Sequence, residues 1–288
     1  MVINLLFIML IGCTQTLEPN HNALQANEAT HNKEPEASDI SSSEVINIHE
    51  KIDIGGYGLV VKASGIKSNY PTIVFESGFG GTSDTWDTLQ TELSKRTLTV
   101  SYDRAGLGRS SSSPEPRTSE VKAIELHKLL RECQIDGPFI IVAHSLGGFT
   151  ARIYATKYPE DVKGIVFVDS SFEKQFEDNL EPQYEKGSME EIMNSVGPDG
   201  SYDEMLLSAK QVKESVNKDA LRNIPIDVLV GTKDKFEGAS IWLGYQQEIA
   251  KLSDKSNMLT IDAGHSIHIE QPDIVLQEII NMMEEKYD

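Results

Sequence analysis

The sequence predicts an α/β fold, a doubly wound and mostly parallel sheet with helices on both faces and a small helical lid insertion. Three observations carry that expectation. Short apolar, β-branched runs alternate with helix-length stretches along residues 44–288. The run Phe139–Val142 is apolar throughout, as a strand buried on both faces requires. It passes through Ala143-His-Ser-Leu-Gly147 directly into a helical stretch, Leu146–Tyr158, which Pro159 stops.

Composition narrows the class. A chain of 288 residues with 39% hydrophobic content supports one sizeable core, or one core with an inserted subdomain. A net charge of −19 repels phosphate backbones, so nucleic acid is not an expected partner. No G-x-x-x-x-G-K-[ST] phosphate loop is present. No stretch approaches the ~20 apolar residues of a spanning helix. Two cysteines, Cys13 and Cys133, are too few for a disulfide scaffold or a cysteine-based metal site, and no metal is expected.

The N-terminal segment carries its own signal. Val2–Gly12 is apolar but too short to span, like the h-region of a signal peptide. Leu10-Ile-Gly-Cys13 resembles the lipobox of bacterial lipoproteins, in which cleavage before the cysteine is coupled to diacylglyceryl attachment on its sulfur. The resemblance implies a signal peptide over 1–12, lipid attachment at Cys13, and a domain outside the cytoplasm, held to a membrane of the bacterial envelope only through its lipid. The Lys/Arg usual before the apolar run is missing. Residues 13–43 are polar without period, as in a flexible tether.

After the tether, Glu44–Ile54 and Tyr57–Ala63 read as strands joined by a Gly55-Gly56 hairpin. Pro71–Glu76 is a third strand, ending in the glycine-rich turn Ser77–Gly81. A short helix over Trp86–Leu93 precedes the strand Leu98–Tyr102. Thr118–Gln134 places Val121, Ile124, Leu126, Leu129 and Leu130 close to one helical stripe. Strands at Gly164–Val168, Asp227–Val230 and Met258–Ile261, and helices at Ile241–Leu252 and Ile274–Met283, complete the alternation. The irregular, acidic stretch Ser171–Asn223 interrupts it. An insertion there lies above the strand C-termini, where open α/β sheets bind ligands, and reads as a lid or as a solvated excursion.

Ser145 sits on the strand-to-helix turn, in A-x-S-x-G, one methyl from G-x-S-x-G. By itself such a serine is equally a helix N-cap. The rest of the chain resembles the α/β-hydrolase fold family over roughly Glu44–Asp288, excluding the lid. The order Ser145, Asp234, His265 follows the family's nucleophile, acid and histidine. Asp234 follows a strand in Val228-Leu-Val-Gly-Thr-Lys-Asp234, and His265 lies in Ala263-Gly-His-Ser-Ile-His-Ile-Glu-Gln-Pro272. Asp103–Ser110 looks like the family's D-x-x-G-x-G-x-S turn. Asp169 is a rival acid, since some members use that position, and His268 is a rival base three residues from His265.

The resemblance implies a serine hydrolase, carboxylesterase-like, cleaving a small-molecule ester through an acyl-enzyme without cofactor. The backbone N–H groups of Phe79 and Leu146 would form its oxyanion hole, with Ser77 standing where the family often has histidine. Amide or carbon–carbon hydrolysis, haloperoxidase-like chemistry, and a non-catalytic binding protein on the same fold stay open. Phe79, Trp86, Met189, Met193 and Trp242 line an apolar substrate pocket or belong to the core.

Overall fold

A computed structural model describes residues 44–176, 200–216, 218–233 and 239–284. The segment expected to hold the signal peptide, Cys13 and the tether lies outside the described residues. The strands are β1 (Val45–Asp53), β2 (Gly58–Ile66), β3 (Thr72–Glu76), β4 (Thr99–Tyr102), β5 (Phe139–His144), β6 (Val162–Val168), β7 (Ile226–Gly231) and β8 (Ser256–Ile261). They form one sheet in the order β1-β2-β4-β3-β5-β6-β7-β8. β2 runs antiparallel to β1 and β4, and every other neighbouring pair is parallel. The expected hairpin closes β1 onto β2. Its Gly55 and Gly56 have φ of 112° and 104°, a region that favours glycine, and donate N–H groups to Asp53 Oδ1.

The helices are α1 (Asp87–Leu93), α2 (Ser119–Glu132), α3 (Gly147–Lys157), α4 (Tyr202–Ser215), α5 (Lys218–Leu221), α6 (Ala239–Ala250), α7 (Ile267–Glu270) and α8 (Pro272–Glu284). The period of two along the central strands divides the core. Phe139, Ile141 and Ala143 pack with Ile165 and Phe167 on the face covered by α2, α3 and α6. Ile140 and Val142 pack with Val166 and Val168 on the other face, against Leu89 and Leu93 of α1 and Val275 and Ile279 of α8. Both faces are therefore dry, which is why these strands read as continuous apolar runs.

The described part of the insertion is docked on the sheet's helices. α4 opens with a capping box, in which Ser201 Oγ accepts from Glu204 N–H and Glu204 Oε2 accepts from Ser201 N–H. Glu204 Oε1 also accepts from Arg117 N–H, and Ser208 Oγ from Ser119 N–H. The insertion thereby satisfies donors at the start of α2 that the helix itself leaves unpaired. Cys133, at the end of α2, is a free, half-buried thiol whose pKa burial pushes up to about 11, as an inert packed cysteine.

The turn after β4 is organised by buried Asp103. Its Oδ1 accepts from Ser83 N–H at 2.9 Å and Ser83 Oγ–H at 2.7 Å, and its Oδ2 accepts from Arg109 N–H at 3.1 Å. Gly108, at φ +51°, passes so near that a Cβ there would sit 2.3 Å from Asp103 Oδ2. That accounts for the D-x-x-G-x-G-x-S spacing as loop architecture. Asp103→Ala strands the buried donors of Ser83 and should lower unfolding free energy by about 3 kcal/mol. Urea denaturation checks this, and an unchanged midpoint would show that other contacts hold the turn.

Candidate active site

The turn between β5 and α3 places Ser145 at the C-terminal edge of the sheet. Ser145 has φ 51°, an uncommon conformation for a residue with a side chain. Three bonds hold it there. Its N–H donates to Val168 O at 3.3 Å, and its carbonyl accepts from Gly148 N–H and Ser171 N–H, both at 3.0 Å. The glycine two residues later is a steric requirement, because a Cβ on Gly147 would lie 2.7 Å from the carbonyl oxygens of both Glu76 and Ser77. Ala143 is tolerated two residues earlier: it is fully buried in the core, and its carbonyl accepts from Ser170 Oγ–H.

His265 lies on the loop between β8 and α7, and residues on either side of it hold that loop in place. Glu270 Oε1 accepts from Gly264 N–H at 3.1 Å, and Lys233 N–H donates to Ala263 O. The imidazole Nδ1 is 2.7 Å from Asp169 Oδ2. Asp169 follows the last residue of β6, and its Oδ1 accepts from Gly231 N–H at 3.0 Å and Trp242 Nε1–H at 2.9 Å. A carboxylate oxygen accepts, so the proton between them sits on His265 Nδ1, and in the neutral tautomer Nε2 is the acceptor.

The acid expected beside this histidine was Asp234. Asp234 lies outside the described residues, and the acid hydrogen-bonded to Nδ1 is the rival, Asp169. Register explains how Asp169 reaches it. β6 lies beside both β5 and β7, with Val168 paired to His144 on one side and Leu229 on the other, so Asp169 emerges next to the turn at Ser145. The sequence offered no means of seeing that Trp242 and Gly231 would converge on Asp169.

His268 is 3% exposed, its ring 4.4 Å from those of both His144 and Trp86. Among the described residues its Nδ1 has no hydrogen-bond partner. Trp86 stacks on Phe75 and is fully buried, and Trp242 is 5% exposed, so both serve the core rather than an open pocket. Met189 and Met193 lie outside the described residues.

Phe79 and Leu146 stand where the resemblance places oxyanion donors. Leu146 caps α3, so its N–H points out of the helix start, where the dipole favours negative charge. Phe79 is aimed by a residue that sequence reasoning missed. Arg104 Nη2 donates to Gly78 O, and Nη1 to Ser77 O and to Oε1 of fully buried Glu76. In a trans peptide the carbonyl and amide point opposite ways, so pinning Gly78 O toward Arg104 turns the Phe79 N–H away from it. Burial raises the Glu76 pKa, opposed by the Arg104 charge beside it. The signal was present as an Arg one residue after Asp103 and a Glu ending β3, but only the fold brings them together. A small cleft, with room for little more than a water molecule, lies beside Phe79 and Leu146 and is lined also by Thr150, Met205 and Arg117.

A model of the alpha/beta hydrolase family matches residues 73–278. The chain is 30% identical over 207 residues to the uncharacterized protein YqjL of Bacillus subtilis, spanning 71% of this chain and 80% of that one. It is 39% identical over 103 residues to the (lyso)-N-acylphosphatidylethanolamine lipase of Mus musculus, 34% of this chain and 29% of the lipase. An esterase from Thermogutta terrifontis has the same fold, with TM-score 0.59, 21% identity and coverage of 83% of this chain and 97% of the esterase.

Burial of the histidines has a measurable consequence. His268 is pushed from 6.5 to about 3, first by desolvation and then by the neighbouring His265. Between those values the unfolded chain binds a proton that the folded chain does not, so stability rises with pH by about 1.4 kcal/mol per unit. Going from pH 7.5 to pH 5 should cost about 2 kcal/mol through His268 alone. His268→Leu removes that increment, seen as a smaller difference between denaturation free energies at the two pH values. An undiminished difference would contradict it.

Proposed function

The chain belongs to the alpha/beta hydrolase family and is a hydrolase; on that premise we propose that it cleaves a carboxylic ester through an acyl-enzyme formed on Ser145. The observation that carries the reading is the 2.7 Å hydrogen bond from His265 Nδ1 to Asp169, at the edge of the sheet where Ser145 is held in its strained turn. In this reading the ester carbonyl sits over the elbow. His265 Nε2 takes the Ser145 proton as Oγ attacks, because a neutral hydroxyl is a weak nucleophile. Asp169 holds the imidazole tautomer and stabilises the imidazolium. The N–H groups of Phe79 and Leu146 receive the oxyanion, each typically contributing about 3 kcal/mol to the transition state. Nε2 then returns the proton to the departing alcohol, and water repeats the sequence on the acyl-enzyme. The residues of the site need no metal or organic cofactor for these steps.

The reading departs from the sequence expectation in one role, with Asp169 rather than Asp234 as the orienting acid. The insertion is proposed as the lid. What supports this is that Met205 of α4 packs on Phe79, beside the proposed oxyanion site. The envelope location is likewise a proposal, supported by Leu10-Ile-Gly-Cys13 and the polar run after it.

Wild-type protein should release p-nitrophenol from short esters in a burst and be labelled by a fluorophosphonate. Ser145→Ala should abolish both, and labelling that survives the substitution would remove the serine mechanism. Asp169→Asn should lower kcat by about 10³–10⁴-fold, whereas Asp234→Asn should stay within about threefold. The opposite ranking would restore Asp234 to the acid's role. For the anchor, Cys13→Ser should move the protein from the membrane to the soluble fraction of lysed cells, and unchanged membrane retention would exclude lipidation at that sulfur.

A further inference from the structure

We infer that His144 is a positioning residue that sets the main chain of His265 against the nucleophile. The inference rests on the serine-hydrolase reading and extends it to a residue without a part in the proton transfers. His144 ends β5, immediately before Ser145, and is 2% exposed. Its Nε2 lies 3.1 Å from the carbonyl oxygen of His265, across 121 positions of sequence. A carbonyl only accepts, so the proton sits on Nε2 and the tautomer of His144 is fixed. The strand that carries the nucleophile thus grips the peptide of the base itself.

The same ring joins three loops. It packs 4.6 Å from the His265 ring and 4.4 Å from that of His268. Beyond His268 lies Trp86, at 4.4 Å, whose Nε1–H donates to Ser77 Oγ in the turn that carries Phe79. That turn closes directly over His144, since a Cβ on Gly78 would sit 2.7 Å from Nδ1 and 3.1 Å from the Ser145 Cβ. Elbow, histidine loop and glycine-rich turn are therefore referenced to one side chain. Loops hold catalytic geometry poorly unless tied to a rigid element, and an error of ~0.5 Å is already costly. Burial also keeps His144 neutral, its pKa well below 6.5. His144 therefore adds no second positive charge beside the imidazolium that forms on His265.

Glutamine and methionine separate the hydrogen bond from the packing. Glutamine places a donor nitrogen the same number of bonds from the backbone as Nε2, and methionine has similar size without a donor. Rates of p-nitrophenyl ester turnover and fluorophosphonate labelling are measured per folded molecule, with folding followed by circular dichroism. His144→Met should lower kcat and the labelling rate at least tenfold with KM within threefold, while His144→Gln should keep at least a third of both. Equal rates in the two variants, or a loss carried by KM, would overturn the role. Absence of labelling in the wild type would instead remove the underlying serine-hydrolase reading, so the failures are distinguishable.

Discussion

The close approach of α3 to the end of β3 is the constraint on which the site depends. Gly147 leaves no space for a side chain between the helix start and the carbonyls of Glu76 and Ser77. The chain turns from β5 into α3 within that space with Ser145 at positive φ. A non-glycine residue there costs roughly 1–2 kcal/mol. The cost is offset by three backbone bonds: Ser145 N–H donates to Val168 O, and Ser145 O accepts from Gly148 N–H and Ser171 N–H. Strain at this residue persists because the surroundings over-determine it, and the result is a serine at the edge of the sheet on the end of a rigid strand.

Around that turn the protein spends buried charge in matched pairs. Glu76 with Arg104, Arg117 with Glu125, and Arg152 with Glu173 are ion pairs formed by largely buried side chains in a chain of net charge −19. Removing one partner of such a pair typically costs about 3–5 kcal/mol, because the other is left unpaired in a dry interior. Each pair joins separate segments or fixes a turn. Arg104 joins the β4 turn to the turn after β3, and Arg152 joins α3 to the segment after β6, where Glu173 lies four residues beyond Asp169. Asp169 joins elements through hydrogen bonds instead: its oxygens are shared between His265, Gly231 and Trp242, linking the ends of β6 and β7, the loop after β8, and α6.

Most of the fold was legible in the sequence because its strands are buried on both faces and its turns are chemically marked. Phe139–Val142 could hardly be anything but a central strand, and Gly55-Gly56 announced the hairpin that joins β1 to β2. The turn at Ser145 and the loop at His265 were visible because local sterics and local capping dictate their residues, as with Gly147 and Glu270. The acid was less legible. Asp169 and Asp234 both follow strands, and local sequence does not report which carboxylate meets an imidazole almost a hundred residues away. That choice is set by register between parallel strands and by a tryptophan on another helix. Arg104 and His144 were obscure for the same reason, since each is defined by groups far along the chain: Glu76 and the carbonyls of Ser77 and Gly78 for Arg104, and the His265 carbonyl for His144.

The central claim is that Ser145, His265 and the amides of Phe79 and Leu146 surround one reacting carbon. A crystal structure of the protein inactivated by a phosphonate ester tests it most directly. The account predicts phosphorus bonded to Ser145 Oγ, the phosphoryl oxygen within hydrogen-bond distance of both amides, and His265 Nε2 facing the Ser145 or leaving-group oxygen with Asp169 still on Nδ1. Phosphorus on another residue, or an adduct whose phosphoryl oxygen points away from those amides, would contradict it.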